Sequence, residues 1–364
     1  MLLRLYILLF LFPALVTCTE DSGPLPVNLE LPIPKSYIIQ EISSPIKIDG
    51  IADEVAWENA EWTDFFIDIE GKKNPLPYYN TRVKMLWDEE FIYFYAELEE
   101  EHVWGDITER DAVIFYNNDF EIFIKPNESQ PAYAEFEVNA LGTLWDLLLV
   151  RPYRRDGPVF DEWDVNDTQI GIHFKGTLND PSDLDESWSL EMAIPLNPLK
   201  SIIRGSTLAH GDYWRINFSR VQWQHEIENG IYDRKKDFSG NYLHEHNWVW
   251  TEQSAIAMHR PEHWGYLYFS EDLNQEIETV PLEDQIQYQF LFYLYRMQLD
   301  YFNEHKRFGE FKDFFNPLER YFMVNGLQLS ARFNTLETGF EIKVEGTSQQ
   351  SIIINQDGYI TKSQ

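Results

Sequence analysis

From Ile46 to about residue 270 the chain is a series of short β-type runs broken by turn residues, and nothing between them has the length and period of a long helix. The runs fall near 82–87, 91–98, 119–125, 132–139, 143–150, 170–175, 187–194, 213–222, 247–251 and 264–269. Asn117-Asn118-Asp119, Pro126-Asn127 and Asn179-Asp180-Pro181 punctuate them. Strand following strand in this way points to an antiparallel β-sandwich rather than a doubly wound α/β fold. Alternation agrees. Phe120, Ile122 and Ile124 share a core parity, opposite Asp119, Glu121 and Lys125. In the next run Ala134, Phe136 and Val138 alternate with Tyr133, Glu135, Glu137 and Asn139.

Both ends of the chain differ from this body. After residue 271 the pattern switches: Asp284 to Lys306 carries Ile286, Phe290, Tyr293, Leu294 and Met297 at helical spacing. Two or three strands follow, including Phe340–Val344 and Ile352–Ile354, with a turn at Gln356-Asp357-Gly358. Residues 271–364 therefore read as a small α+β appendage whose aromatic stripe is packing. At the front, Leu2 to Val16 is an apolar run too short for a stable membrane span, and residues 1–18 fit a secretory signal. The chain's one cysteine, Cys18, stands at its end, so no disulfide forms within the chain. A thiol placed there resembles the lipidated cysteine of bacterial lipoproteins, and Thr19-Glu20-Asp21 resembles acidic signals that send some of them to the outer face. Ordinary cleavage and secretion is the alternative, because Thr17 replaces the usual small residue. Residues 19–44, rich in Pro, Ser and acidic side chains, read as a tether. Three glycosylation sequons, at Asn127, Asn166 and Asn217, carry no meaning in a bacterial chain.

Charge narrows the partners. With 61 acidic and 29 basic residues the net charge is −32, which repels nucleic acid and anionic membrane surfaces. Aromatics make up 16% of the chain, including 12 Trp, more than packing alone usually asks for.

Several segments in fixed order carry a resemblance: Ile48-Asp49-Gly50-Ile51-Ala52-Asp53-Glu54-Val55-Ala56-Trp57, Val83 to Asp88, Phe91 to Phe94, and Asp119 to Ile124. Later come Tyr133 to Trp145, Trp188 to Pro195, Trp214 to Trp223, and His259 to Gly265. Over residues 45–270 the set resembles the family 9 carbohydrate-binding modules and the wider sandwich group sharing their core. The resemblance implies a β-sandwich, structural calcium, and non-catalytic binding of soluble sugars between two aromatic rings. By alignment the family's site carboxylate falls at Glu121, its aromatic clamp at Phe115 and Met258, and its arginine at Glu137. It also implies calcium, for which Asp49 and Asp53, with Glu54, offer hard oxygen ligands.

Read on their own terms, sugar-binding side chains are flat apolar faces beside planar polar groups. Trp145, Trp223 and Trp250 are the candidate platforms, and Glu121, Glu137, Asn139 and Arg220 the candidate hydrogen-bonding groups. The alternative is that the tryptophans plug the core and the polar face of 132–139 is merely solvated. Glu135 and Glu137 suit a glycosidase pair in spacing alone, and no catalytic motif accompanies them. His244, His246, His259 and His263 suit a transition-metal site or turn histidines. Haem, which some members of the same sandwich group bind, would look to Met258, Met85 or Met192. The expectation is a non-enzymatic, oligo- or polysaccharide-capturing protein serving degradation or uptake. It would be exported and held at the outer membrane or cell surface through Cys18, or else be periplasmic or secreted. Haem-dependent electron transfer, or a role as part of a glycoside-active enzyme, is the alternative.

Overall fold

β-branched and aromatic residues in period-two alternation can bury one strand face, and the body of the chain is built from that rule. The computed structural model describes residues 28–152, 157–202, 208–272, 274–318, 321–346 and 350–363. The body strands are β1 (Ser36–Glu41), β2 (Thr81–Trp87), β3 (Phe91–Glu99), β4 (Asp119–Lys125), β5 (Tyr133–Asn139) and β6 (Leu144–Leu149). They continue as β7 (Gln169–Lys175), β8 (Ser187–Pro195), β9 (Tyr213–Gln222), β10 (His246–Val249) and β11 (Gly265–Ser270). All ten expected strands are present, each within a residue or two of its expected limits.

The strands form one continuous sheet in the order β7-β8-β3-β2-β1-β11-β9-β4-β5-β6. β9 forks it: Tyr213–Ile216 pairs with β11, and Ser219–Gln222 pairs with β10. The sheet curls until its two halves share one core. Val83, Met85, Phe94, Leu190 and Met192 from one half pack with Phe120, Ile122, Phe136, Ile216 and Phe218 from the other. This is the expected mainly β sandwich.

Two differences stand out. Residues 28–44, expected as part of a tether, are structured: β1 lies inside the sheet and is parallel to both neighbours, β11 and β2. The reason is alternation hidden in a polar stretch, with Tyr37 and Ile39 buried and Ile38 outside. Asn28–Leu29 is likewise a short strand, paired with the C-terminal region. The expected signal at residues 1–18, with Cys18, and residues 19–27 of the tether lie outside the described residues.

The family-like segment 48–57 has a local physical basis. Glu191 of β8, fully buried, accepts hydrogen bonds from the Asp49 and Gly50 amides at 2.9 and 3.0 Å and from Trp57 Nε1 at 2.8 Å. Gly50 has φ +87°, and a Cβ there would stand 2.6 Å from the His173 backbone nitrogen, so the turn admits glycine.

The C-terminal region holds helix α1 (Leu282–His305) and strands β12 (Phe322–Val324), β13 (Leu327–Thr335), β14 (Phe340–Glu345), β15 (Ser351–Asn355) and β16 (Ile360–Ser363). Glu283 and Asp284 favour the helix start, and Lys306, at φ 56°, ends it. Among the described residues no helix is long and apolar enough to cross a membrane. The region packs its own core between α1 and the sheet. It also docks on the body: the Arg296 guanidinium pairs with buried Glu262, and Arg215 sits 3.9 Å from the Tyr266 ring centroid with Tyr288 beyond. Burial works to raise the Glu262 carboxyl, but Arg296 and His263 hold it down to about 2.

Candidate functional site

The polar face of β4 and β5 is neither solvated nor part of the sandwich core. Residues 251–264 fold back over it, pinned where the Asn217 side chain exchanges hydrogen bonds with Thr251 N and O at 3.0 and 2.9 Å. Trp264 is buried beneath this cover, donating from Nε1 to Met258 O at 2.8 Å. A cavity of about 630 Å³ remains between cover and sheet, within the usual range for a small-molecule site.

Its floor is the outward parity of four strands: Glu121 and Phe123 from β4, Glu135 and Glu137 from β5, Trp145, Leu147 and Leu149 from β6, and Val221 from β9. The walls are Phe115, Ile69, Glu245, Asn247, Val159 and the stretch Ile256–His259. The Tyr133 hydroxyl and His259 Nδ1 share a hydrogen bond of 2.6 Å at one end. No lysine or arginine is among the lining residues.

Register sets the chemistry. Glu121 lies directly across from Glu137, and Glu137 across from Trp145. Two residues along on the same face, Asp119 lies across from Asn139. Like charges directly opposed on one face repel, and here they are also removed from water. Burial therefore pushes the Glu121 carboxyl up to about 7. Asp119, Glu135 and Glu137 are raised well above the carboxylate range, first by burial and then by their neighbours' carboxylates. The Phe115 amide donates to Glu137 Oε2 at 3.2 Å. Neither oxygen of Asp119 makes a hydrogen bond of normal geometry. With Glu121 pushed up to about 7, that carboxyl can meet a ligand either protonated, as a donor, or ionised, as an acceptor.

Of the expected binding residues, Phe115, Glu121, Glu137, Trp145 and Met258 come together around this cavity. Asn139 lies behind it, its amide committed to Ile107 O, Asn117 Oδ1 and the Leu141 and Thr143 amides. Trp223 also stands behind, buried, with Nε1 donating to Phe115 O at 2.7 Å, so it supports the wall rather than forming it. Two expected residues are elsewhere. Trp250 is a core plug packed near Phe218 and over Gly265, because it keeps the core parity of Trp248 two residues before it. Arg220 has the core parity of β9; fully buried, it donates to Glu100 Oε2, Glu99 O, Thr81 Oγ1 and Gln222 Oε1.

The other expected sites are placed as follows. Asp49 pairs with the Lys47 ammonium at 2.5 Å, and exposed Asp53 joins no carboxylate cluster among the described residues. Met85 and Met192 lie in the sandwich core. His246 stacks on Trp248, His263 adjoins Glu262, and among the described residues no three of the four candidate histidines form a metal-binding group. Phe123, Leu147 and Leu149, which share the parity of Glu121 and Trp145, were not among the expected binding residues, nor was Asp119, although its outward parity was legible.

Residues 48–211 match the family described as carbohydrate family 9 binding domain-like. A family 9 carbohydrate-binding module from Caldicellulosiruptor kristjanssonii, solved with cellotriose, is 16% identical over 68% of this chain and 100% of its own, with a TM-score of 0.43. The same organism's module with glucose is 15% identical over 66% and 99%, with a TM-score of 0.43. A candidate carbohydrate-binding protein from Bacteroides uniformis is 17% identical over 65% and 99%, with a TM-score of 0.47. No curated protein matches the chain.

Proposed function

We propose, from the premise that residues 48–211 form a carbohydrate family 9 binding domain-like module, that the cavity over β4, β5 and β6 binds a soluble oligosaccharide without cleaving it. The observation that carries the reading is the company of side chains in one cavity. Phe115 and Trp145 offer flat apolar faces beside the planar polar groups of Glu121, Glu135, Glu137 and Asn247. A pyranose presents that same division, C–H faces and a rim of hydroxyls.

The positions of the carboxyls support binding without cleavage. A glycosidase sets an acid and a second carboxylate on either side of the scissile bond, about 5–9.5 Å apart. Glu121 and Glu137 are cross-strand neighbours on a single floor, with oxygens within 4.8 Å of one another. The sequence ahead of the described residues, Leu2–Val16 and then Cys18, supports export and a lipid anchor. The protein would thus hold oligosaccharide at the cell envelope for degradation or uptake. A tryptophan-fluorescence titration of the purified chain with plant-type oligosaccharides, each with free and blocked reducing ends, tests this. A saturable change is expected, shifted to about 10- to 100-fold higher ligand concentration by Trp145→Ala; no response across the panel overturns it.

A further inference from the structure

The geometry points to a second ligand beneath this cavity: Asp119, Glu121 and Glu137 form a site for a hard divalent cation of the calcium class. Each offers a carboxylate oxygen, and the three oxygens lie within 4.8 Å of one another. One ion held at about 2.4 Å from each oxygen spans oxygens up to roughly 4.8 Å apart. The donor set is all oxygen, which selects calcium-class ions over the softer transition metals.

Two further observations mark the place as built for a ligand rather than as a chance gathering of acids. Asp119 is fully buried, yet neither of its oxygens makes a hydrogen bond of normal geometry. The Ser219 hydroxyl, a neutral oxygen placed directly across from Glu121 by the β9–β4 register, is also fully buried and turns to the Glu121 carboxyl, adding a neutral donor oxygen to the cluster. Buried polar atoms are rarely left as those of Asp119 are without an ion or water to satisfy them. A second carboxylate cluster supplies the contrast. Asp111, Asp146 and Asp164 also converge, but the Arg110 guanidinium already lies among them, 2.5 Å from Asp146 and 3.1 Å from Asp164. No such cation lines the Glu121 cavity. The ion would lie between the sheet and the cavity, with Glu121 and Glu137 facing both.

The test needs no sugar, so its failure is distinct from failure of the carbohydrate reading. The metal-stripped chain at pH 7.5 is titrated with Ca2+ by calorimetry. In parallel, Tb3+ luminescence sensitised by Trp145 reports occupancy. Saturable binding, Tb3+ displaced by Ca2+, and at least tenfold weaker binding in Asp119→Asn and in Glu137→Gln are expected. Asp164→Asn, in the arginine-filled cluster, leaves affinity unchanged. Thermal melts guard against misfolding: Ca2+ raises the wild-type melting temperature but neither binding-site variant's. No saturable binding by the wild type, or affinity unchanged in both variants, overturns the assignment.

Discussion

Replacing Glu121 with glutamine in metal-free protein isolates the electrostatic cost of the buried acidic floor. A carboxyl whose folded pKa is raised keeps its proton at pH values where the unfolded chain has released it. Across that window the folded state binds more protons, so stability falls as pH rises. For Glu121 the window opens near its ordinary 4.5 and closes near 7, and the loss is complete above that. Raising it that far costs the folded state about 3 kcal/mol. A cost of that size lowers the melting temperature of a unit as large as the body by roughly 5–10 °C. The expected outcome is that wild type in chelator melts lower at pH 8 than at pH 5. Glu121→Gln should match it at pH 4.5 and exceed it by about that margin at pH 8. Net charge of the whole chain also grows with pH, but it affects both proteins alike, so their difference isolates the floor. Equal pH slopes for the two proteins, or a variant less stable at pH 8, would refute the reasoning.

Other substitutions separate binding from stability. Phe115→Ala and Trp145→Ala each remove an aromatic face from the cavity and should weaken oligosaccharide binding about 10- to 100-fold by titration, the equivalent of burying one large apolar side chain. Trp250→Ala should instead cost about 3–5 kcal/mol in urea unfolding, with the affinity of the folded fraction retained, because that ring fills the core. Arg296→Ala leaves Glu262 buried without its guanidinium and should cost about 3 kcal/mol. Because Glu262 is held down to about 2, its contribution is present above its ordinary pKa and is lost as pH falls from about 4.5 toward 2, which acid unfolding of both proteins would show. Gly50→Ala places a Cβ against the 172–173 backbone at positive φ and should lower the melting temperature without altering binding by correctly folded protein.

The strands were legible because alternation is a local signal: Phe120, Ile122 and Ile124 declare the core face of β4 within seven residues. Strand β1 escaped for the opposite reason. Its six residues carry two buried side chains, and its parallel partners, Gly265–Ser270 and Thr81–Trp87, are far away in sequence. The site was half legible. Parity placed Glu121, Glu137 and Trp145 on one face, and the family resemblance added Phe115 and Met258. What covers that face could not be read from any strand, because residues 251–264 return over it by hydrogen bonds between Asn217 and Thr251. Trp250 and Arg220 were misplaced by the same gap. A tryptophan in a short strand looks alike as platform or plug, and Arg220 has the core parity that its charge argues against until Glu100 is seen beside it.

The pairing of Asn28–Leu29 with β12 has a mechanical consequence. This two-residue strand runs parallel to Met323–Val324, and the Asn325 side chain clasps Leu31 through hydrogen bonds of 2.8 Å to both its N and its O. The chain therefore passes through the C-terminal sheet before it enters the sandwich. A pull on the chain ahead of residue 28 is met first by that clasp and by the α1-covered sheet behind it. The cavity strands β4, β5 and β6, further along the chain, feel the load afterwards. The C-terminal region is in this sense a strain relief: a tug on the leading segment spends itself there before it reaches the floor on which a ligand would sit.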